Sequence, residues 1–224
     1  METVVISVGG SVILKGADYI KSLAEVINEA AKNQRIAITV GGGKIAREYI
    51  SLGRELGADE TTLDDFGIEV TRLNARLLTL AIPNAYPVIP EKLEDAYRFY
   101  RAGWIVVMGG TTPGHTTDAV AAMLAEKLRA GKLINVTNVD GLYDKDPRKH
   151  PDAKKIEHCS HDELIKMLTE AEASAGQNHV FDLLGAKILR RARIKLIIVN
   201  GENLEHLRDA ITGKAAEGRW SEIG

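Results

Sequence analysis

Only one cysteine, Cys159, occurs in 224 residues, so no disulfide can form within the chain. That fits a reducing, cytoplasmic setting, and no catalytic-cysteine context surrounds it. Aromatic residues make up 5% of the chain while glycine fills 21 positions, a balance that suits an α/β protein with many tight turns. No apolar run approaches the roughly 20 residues that span a bilayer. Met1-Glu2 and the short apolar run after it lack the basic segment and long apolar core of a secretory signal, so no leader is expected. Neither sign of charge dominates, with 29 basic residues against 31 acidic ones. No charge run offers a nucleic-acid or membrane face, and 145–155, mixed in sign, reads as a solvated loop.

Familiar catalytic signatures are missing too. No G-x-x-x-x-G-K-[ST] is present, so a P-loop is not how phosphate would be held. No G-x-S-x-G elbow occurs, and no His/Cys group has metal-ligand spacing. His150, His158, His161, His179 and His206 read as surface or loop residues.

What the chain does have is alternation. Thr3 to Val8 is strand-like and stops at Gly9-Gly10; Tyr19 to Ala31 repeats with helical spacing; Arg35 to Val40 is the next strand. Lys44 to Leu56 reads as a helix closed by Gly57, and a longer helical pattern runs from Ile68 to Ala81 and stops at Pro83. Val88-Ile89 reads as a short strand, followed by a helix over 92–101 and an apolar strand over 104–108. Ala119 to Arg129 is helical, Leu133 to Thr137 a strand, and 138–159 a long loop. Ser160-His161-Asp162-Glu163 has capping-box form, Asp182 to Arg193 is helical, Leu196 to Val199 is a buried-type strand, and Asn203 caps a helix to Ile211. This order predicts an α/β fold with a mainly parallel central sheet sandwiched between helices. The length fits one large domain or two fused lobes, with a boundary near Lys132-Leu133 that no flexible linker marks.

Three junctions carry the chemistry. Gly9-Gly10-Ser11, Gly41-Gly42-Gly43-Lys44 and Gly109-Gly110-Thr111-Thr112-Pro113-Gly114-His115-Thr116-Thr117-Asp118 each follow a strand, and the last two open a helix. Such turns aim backbone N–H groups and a helix dipole at one spot, which suits phosphate. Lys44 and Arg47 add positive charge beside the second. That turn also satisfies a loose G-x-G-x-x-A dinucleotide pattern, but it follows the second strand and no acidic residue ends the next one. A tight turn without ligand is the plain alternative. Thr137 to Pro147 follows another strand. There Tyr143 suits stacking on a base or covering the loop, and Asp146 suits accepting from ligand hydroxyls or capping the turn before Pro147.

Taken in order, these junctions and Asp64-Asp65-Phe66-Gly67-Ile68 resemble the amino-acid-kinase superfamily, and within it the uridylate (UMP) kinases of the archaeal type, over nearly the whole chain. The resemblance implies transfer of the ATP γ-phosphoryl to UMP, with magnesium accompanying ATP and no metal ligands assigned to the chain itself. It implies an N-terminal lobe, 1–132, for UMP and a C-terminal lobe, 133–224, for ATP, fused into one domain. By position, Gly42, Asp64 and the loop Thr111, Thr112, Pro113, Gly114, His115, Thr116, Thr117 would contact UMP, with Asp64 on the ribose hydroxyls. Gly9, Gly10, Gly43 and Arg47 would line the ATP phosphates, and Thr137, Asn138, Tyr143 and Asp146 the adenosine. A UMP phosphate is already an anionic nucleophile, so no general base is required, and Asp118 is expected to orient cationic side chains. Ser7 and Asn138 stand where many relatives carry lysine. The compensating cation is left among Lys44, Arg47 and Lys187, and Lys187 reads equally as a solvated helix residue. The resemblance also implies homohexamers built from dimers, with 21–32 and 69–81 as candidate interface helices. Two other readings stay open. One is a related small-phosphate kinase such as an isopentenyl phosphate kinase, which would carry a histidine soon after the second glycine turn. The other is a nucleotide-binding regulator without catalysis.

Overall fold

The computed structural model describes residues 1–173 and 180–224, with backbone only at 172 and 173; His179 lies outside the described residues. The elements are β1 (Thr3–Val8), α1 (Gly10–Ile13), α2 (Ala17–Ala30), β2 (Arg35–Val40), α3 (Gly43–Glu55), α4 (Glu60–Ala81), α5 (Leu93–Arg101) and β3 (Val106–Met108). They continue with α6 (Thr117–Leu128), β4 (Lys132–Thr137), β5 (Leu142–Tyr143), β6 (Lys155–Ile156), β7 (His158–Cys159), α7 (His161–Ala173), α8 (Leu183–Ala192), β8 (Lys195–Asn200), α9 (Leu204–Thr212) and β9 (Ser221–Ile223).

Among the described residues the main sheet has the order β3-β2-β1-β4-β8-β9-β7. The strands from β3 to β8 run parallel, so their carboxyl ends share one edge. From β1 the chain winds outward to β2 and β3, then returns to β4 on the other side of β1 and winds outward again to β8. The reversal between β1 and β4 is a topological switch point, where turns diverge and leave a crevice. The sheet runs unbroken across residue 132, with β1 and β4 in register from Val4↔Lys132 to Val8↔Val136.

Period-two alternation divides the core. Val4, Ile6 and Val8 pack with α2, α4 and α9 on one face, through Leu23, Ile27, Leu78 and Ile211 among others. Val5, Ala37 and Leu133 pack on the other face with α5, α6, α7 and α8. No helix among the described residues is long and apolar enough to cross a membrane.

Several local expectations hold. Ser160 and Glu163 form a reciprocal capping box, the carboxylate accepting from Ser160 N–H at 2.7 Å and the hydroxyl from Glu163 N–H at 3.2 Å. Asn203 accepts from the N–H groups of Glu205 and His206 at 3.1 Å. Others need correction. Val88-Ile89 is not a strand: Val88 is 58% exposed, and the edge of β3 is instead extended by a bridge from Ala85 to Ile105. Pro87 and Pro90 flank that pair and remove N–H groups a strand would need. The segment 138–159 is not all loop. Leu142 pairs with Ile156 in the β5–β6 hairpin, and β7 pairs with β9, which binds β8 antiparallel. Helix α4 begins at Glu60, well before Ile68, because the Asp59 carboxylate caps it by accepting from Thr62 N–H at 3.0 Å. His161 is not merely superficial, since its ring Nε2 meets the Ile194 carbonyl at 2.9 Å.

The two glycine turns at the carboxyl edge touch backbone to backbone. A Cβ on Gly10 would lie 2.5 Å from Gly42 C and 2.6 Å from Gly41 O, with Gly43 N closer still. Gly10→Ala is therefore expected to destabilise the fold by at least about 3 kcal/mol in urea unfolding. Gly57→Ala meets nothing within 4 Å and suffers only from its φ of +87°, so it should cost about 1–2 kcal/mol. Equal losses for the two would contradict the packing argument.

Candidate active site

Three turns, which leave β1, β2 and β3, meet at the carboxyl edge beside the switch point. Gly9 is anchored to β4, its N–H donating to Val136 O at 2.9 Å, and Gly41 is anchored to β1 through Val8 O at 2.9 Å. Gly43 has a φ of +65°, and a Cβ there would lie 2.9 Å from Ser11 N. The third turn, 109–117, abuts the second, with Thr117 Oγ1 3.5 Å from where a Cβ on Gly41 would stand. The N–H groups of Gly10, Ser11, Gly42, Gly43, Thr111 and Thr112 have no acceptor among the described residues. Unpaired donors at three adjacent turns form a site for anions in a row.

Helix α4 holds two of the turns. Asn74 is 2% exposed, and its Nδ2 donates to Gly41 O at 2.8 Å and Gly42 O at 3.2 Å. Thr71 Oγ1 accepts from Gly110 N–H at 2.7 Å and donates to Ile68 O at 2.6 Å. Arg72 donates to Gly110 O and Thr111 O, both at 3.3 Å. At the other end of the loop, Asp64 accepts from Gly114 N–H at 2.7 Å. Within the loop Thr112 Oγ1 and His115 Nδ1 lie 2.9 Å apart, and Thr116 caps α6 by accepting from Ala119 N–H at 3.1 Å.

Beside the first turn opens a cavity of about 640 Å³. Ser11, Arg47, Thr137, Asn138, Tyr143 and Asp146 are among its lining residues, so the structure brings five of the expected ATP-side residues to one wall. Tyr143 donates to Asp140 Oδ1 at 2.7 Å, and burial together with that carboxylate pushes its phenol up to about 12. Its hydroxyl is thereby engaged, which leaves the ring face for a ligand. Asp146 is engaged as well: both its oxygens accept from Arg148, at 3.0 and 3.1 Å, and hold its carboxyl below the usual range. Asp146 also closes a local turn, Oδ1 accepting from Arg148 N–H at 3.0 Å, while it lines the cavity.

The candidate cations divide. Arg47 lines the cavity, and no ion pair engages it among the described residues. Lys44 is 79% exposed and pairs with Glu48 at 3.3 Å. Lys187 is exposed on α8. Asp118 does not contact a lysine or arginine among the described residues. It lies half-buried against Ser7, whose Oγ donates to it at 3.1 Å, and faces Asp182, the cap of α8 that accepts from Thr116. Burial first, then the Asp182 charge, pushes its carboxyl up to about 7. Ser7 shares a register line with Thr39 and Asn135 on neighbouring strands, and all three are under 5% exposed. A buried polar row therefore underlies the turns. Cys159 is pushed up to about 11 by burial and Glu163, which keeps it a thiol.

Sequence reasoning overlooks Thr71, Arg72 and Asn74, which support the site from α4. Their signal is the presence of polar residues on the stripe marked by Ile68, Ala75 and Leu78, which the helix buries.

Comparison with known proteins adds identity to this geometry. The model of the amino acid kinase family matches residues 2–200. The uridylate kinase of Methanobrevibacter smithii is 44% identical over 214 residues, covering 94% of this chain and 95% of its own. That of Archaeoglobus fulgidus is 45% identical over 212 residues, covering 95% and 96%. The crystal structure of uridylate kinase from Archaeoglobus fulgidus superposes with a TM-score of 0.89 at 43% identity, covering all of both chains.

The folded Asp118 value of about 7 lies above its ordinary 3.8. Between those limits the native state binds more proton than the unfolded chain, so this group's contribution to stability falls as pH rises. Asp118→Asn keeps an acceptor for Ser7 and removes the charge. The variant is expected to gain stability over the parent as pH climbs from 5 to 8, by at most about 1.4 kcal/mol per unit. A difference in melting temperature that stays constant over that range would contradict it.

Proposed function

The chain belongs to the amino acid kinase family, and on that premise we propose that it is a UMP kinase, which transfers the γ-phosphoryl of ATP to UMP and releases UDP and ADP. The observation that carries the reading is full-length similarity to uridylate kinases combined with three contiguous turns at the carboxyl edge whose N–H donors have no acceptor among the described residues. The division of labour follows the order of the turns. The cavity lined by Ser11, Arg47 and Tyr143 takes ATP, with the adenine against the Tyr143 ring and the triphosphate running toward Gly10 and Gly43. The loop 111–117, Gly42 and Asp64 take UMP on the far side of the second turn. The C-terminal lobe, 133–224, thus supplies most of the donor pocket, completed by Ser11 and Arg47 of 1–132, and 1–132 the acceptor pocket.

In the transfer a phosphate oxygen of UMP forms a bond to the γ-phosphorus while the bond to the β–γ bridging oxygen breaks in line. The nucleophile is already anionic, so the protein's task is alignment and neutralisation. Amides of Gly10, Ser11, Gly42 and Gly43 face both anions, and Arg47 supplies the positive charge that Ser7 does not. Asp118, with its proton available near neutral pH, adds little repulsion to the incoming phosphates; Lys187 and Lys44 would have to swing inward to join. Magnesium, when bound, would supply further neutralisation of the β- and γ-phosphates. Among the described residues no group of three His, Cys, Asp or Glu side chains is placed to hold a metal. The donor set suits an ion carried on phosphate oxygens and water, with the Ser11 hydroxyl nearby as the chain's own oxygen.

This chemistry would serve pyrimidine nucleotide synthesis in a reducing cytoplasm. An isopentenyl phosphate kinase is less well supported, because Lys44-Ile45-Ala46-Arg47 occupies the place of that branch's histidine. A regulator without catalysis is less well supported because the chain retains the glycine and threonine turns of both expected sites.

We also propose self-association, in dimers that build a hexamer. Leu73, Leu77 and Leu80 on α4 are 58%, 42% and 82% exposed, and Leu52 on the neighbouring α3 and Leu56 just past its end are 58% and 89% exposed. Helix α2 spends its apolar residues Leu23, Val26 and Ile27 on the core, so the expected contact at 21–32 is the weaker one.

In an acceptor panel UMP should outpace CMP and isopentenyl phosphate; turnover with isopentenyl phosphate alone would defeat the proposal. Asp64→Ala is expected to raise KM for UMP at least about ten-fold, the equivalent of one charge-assisted hydrogen bond, and to leave KM for ATP nearly unchanged. Equal increases would contradict the division of pockets. Leu77→Glu combined with Leu80→Glu should reduce the sedimenting mass to a smaller species; an unchanged mass would exclude α4 from the contact.

A further inference from the structure

Arg72 stands outside every expected set of site residues, yet its guanidinium is committed on all sides. Its Nε and Nη2 donate to Gly110 O and Thr111 O at 3.3 Å, while Nη1 meets Glu69 at 2.9 Å and Glu91 at 3.2 Å. The side chain is 17% exposed, so these contacts are partly shielded from water. Its chain neighbour Thr71 accepts from Gly110 N–H at 2.7 Å and leaves no room for a side chain at Gly109, where a Cβ would lie 2.5 Å from Thr71 Oγ1.

A trans peptide points its C=O and the following N–H in opposite directions. Drawing the Gly110 and Thr111 carbonyls toward α4 therefore turns the Thr111 and Thr112 N–H groups away from it. Those are two of the donors that lack an acceptor among the described residues. We propose that Arg72 is a positioning residue that sets the direction of the acceptor loop, aiming the Thr111 and Thr112 amides at the anionic acceptor without touching it. The planar fork is what the task needs: two carbonyls and two carboxylates are met at once, which a single ammonium cannot reproduce. Glu69 and Glu91 fix the fork from the opposite side, so the loop is tied through Arg72 both to α4 and to the segment before α5. This inference rests on the UMP kinase reading for the identity of the acceptor, but not for the hold on the loop.

The test uses the full chain with Arg72→Met, which keeps the apolar stem, and Arg72→Lys, which keeps the charge. Steady-state kinetics are measured with UMP and with ATP varied in turn. Hydrogen–deuterium exchange of segment 109–115 is followed without ligand. Arg72→Met is expected to raise KM for UMP about ten-fold and to leave kcat and KM for ATP within about two-fold. Arg72→Lys should fall between Arg72→Met and the parent. Exchange in 109–115 should quicken in Arg72→Met while the β1 and β4 segments keep their protection. A general packing role would instead loosen the whole sheet and raise both KM values. That result, or an unchanged KM for UMP, or unchanged exchange in 109–115, overturns the proposal. If the parent fails to phosphorylate UMP, the functional reading fails by itself, and the exchange experiment alone then supports or overturns the hold of Arg72 on the loop.

Discussion

The site depends on one contact, the approach of the Gly10 backbone to the backbone of Gly41 to Gly43 with no side chain between. Parallel strands are about 4.8 Å apart, and turns leaving adjacent strands ordinarily hold their side chains between them. Glycine at these positions lets the turns converge instead. The donors that each helix start leaves unpaired then fall side by side, not on separate corners of the molecule. Two anions bound head to head need donors on both flanks and between them. A single phosphate-binding loop supplies one cradle; here three shallow ones are joined edge to edge.

Close turns need support from behind, and the layers differ in how they give it. From one face α4 supplies hydrogen bonds: Asn74 to the second turn, Thr71, Arg72 and Asp64 to the third. On the other face lies the polar row of Ser7, Thr39 and Asn135 with Asp118. The Thr39 hydroxyl is fully buried and has no hydrogen-bond partner among the described residues, and Asp118 carries a carboxyl beside a second acid. Both are costs to folding. A chain selected for stability alone would fill that layer with valine and alanine. The polar row is a local conflict of the kind that accompanies function, not a packing device.

Local chemistry is what the sequence makes legible. The parallel strands, the Ser160 and Asn203 caps and the glycine turns each depend on a few neighbouring residues, and each is found where the pattern places it. The strand β9 is not legible, because three residues, Ser221-Glu222-Ile223, become a strand only through pairing with β8 and β7. Val88-Ile89 misleads in the opposite direction: β-branched residues favour a strand, and the flanking prolines deny it partners. The α4 supports are hidden for a different reason. A polar residue on a buried stripe looks like noise until its partner is known, and the partners here are backbone groups more than 30 positions away. Arg47 and Lys44 have the same claim by sequence, since both follow a glycine turn; the structure puts Arg47 on the cavity lining and pairs exposed Lys44 with Glu48, one helical turn on.

The absence of lysine at position 7 has a physical consequence beyond one lost charge. A lysine beside Asp118 would hold that carboxyl ionised by direct attraction. With serine there the carboxyl receives a single neutral hydrogen bond at 3.1 Å and faces Asp182, so its proton is held near neutral pH. Phosphates arriving at the turns make ionisation still less favourable, whereas a cation arriving with them favours it. In the proposed complex the charge of this half-buried group would therefore follow what is bound, in the direction that lowers the total field in the site. A serine-lined carboxyl would thereby do by proton uptake part of what a fixed cation would do by its presence. In the proposed transfer the remaining positive charge would then sit on Arg47, on the cavity wall rather than beneath the turns.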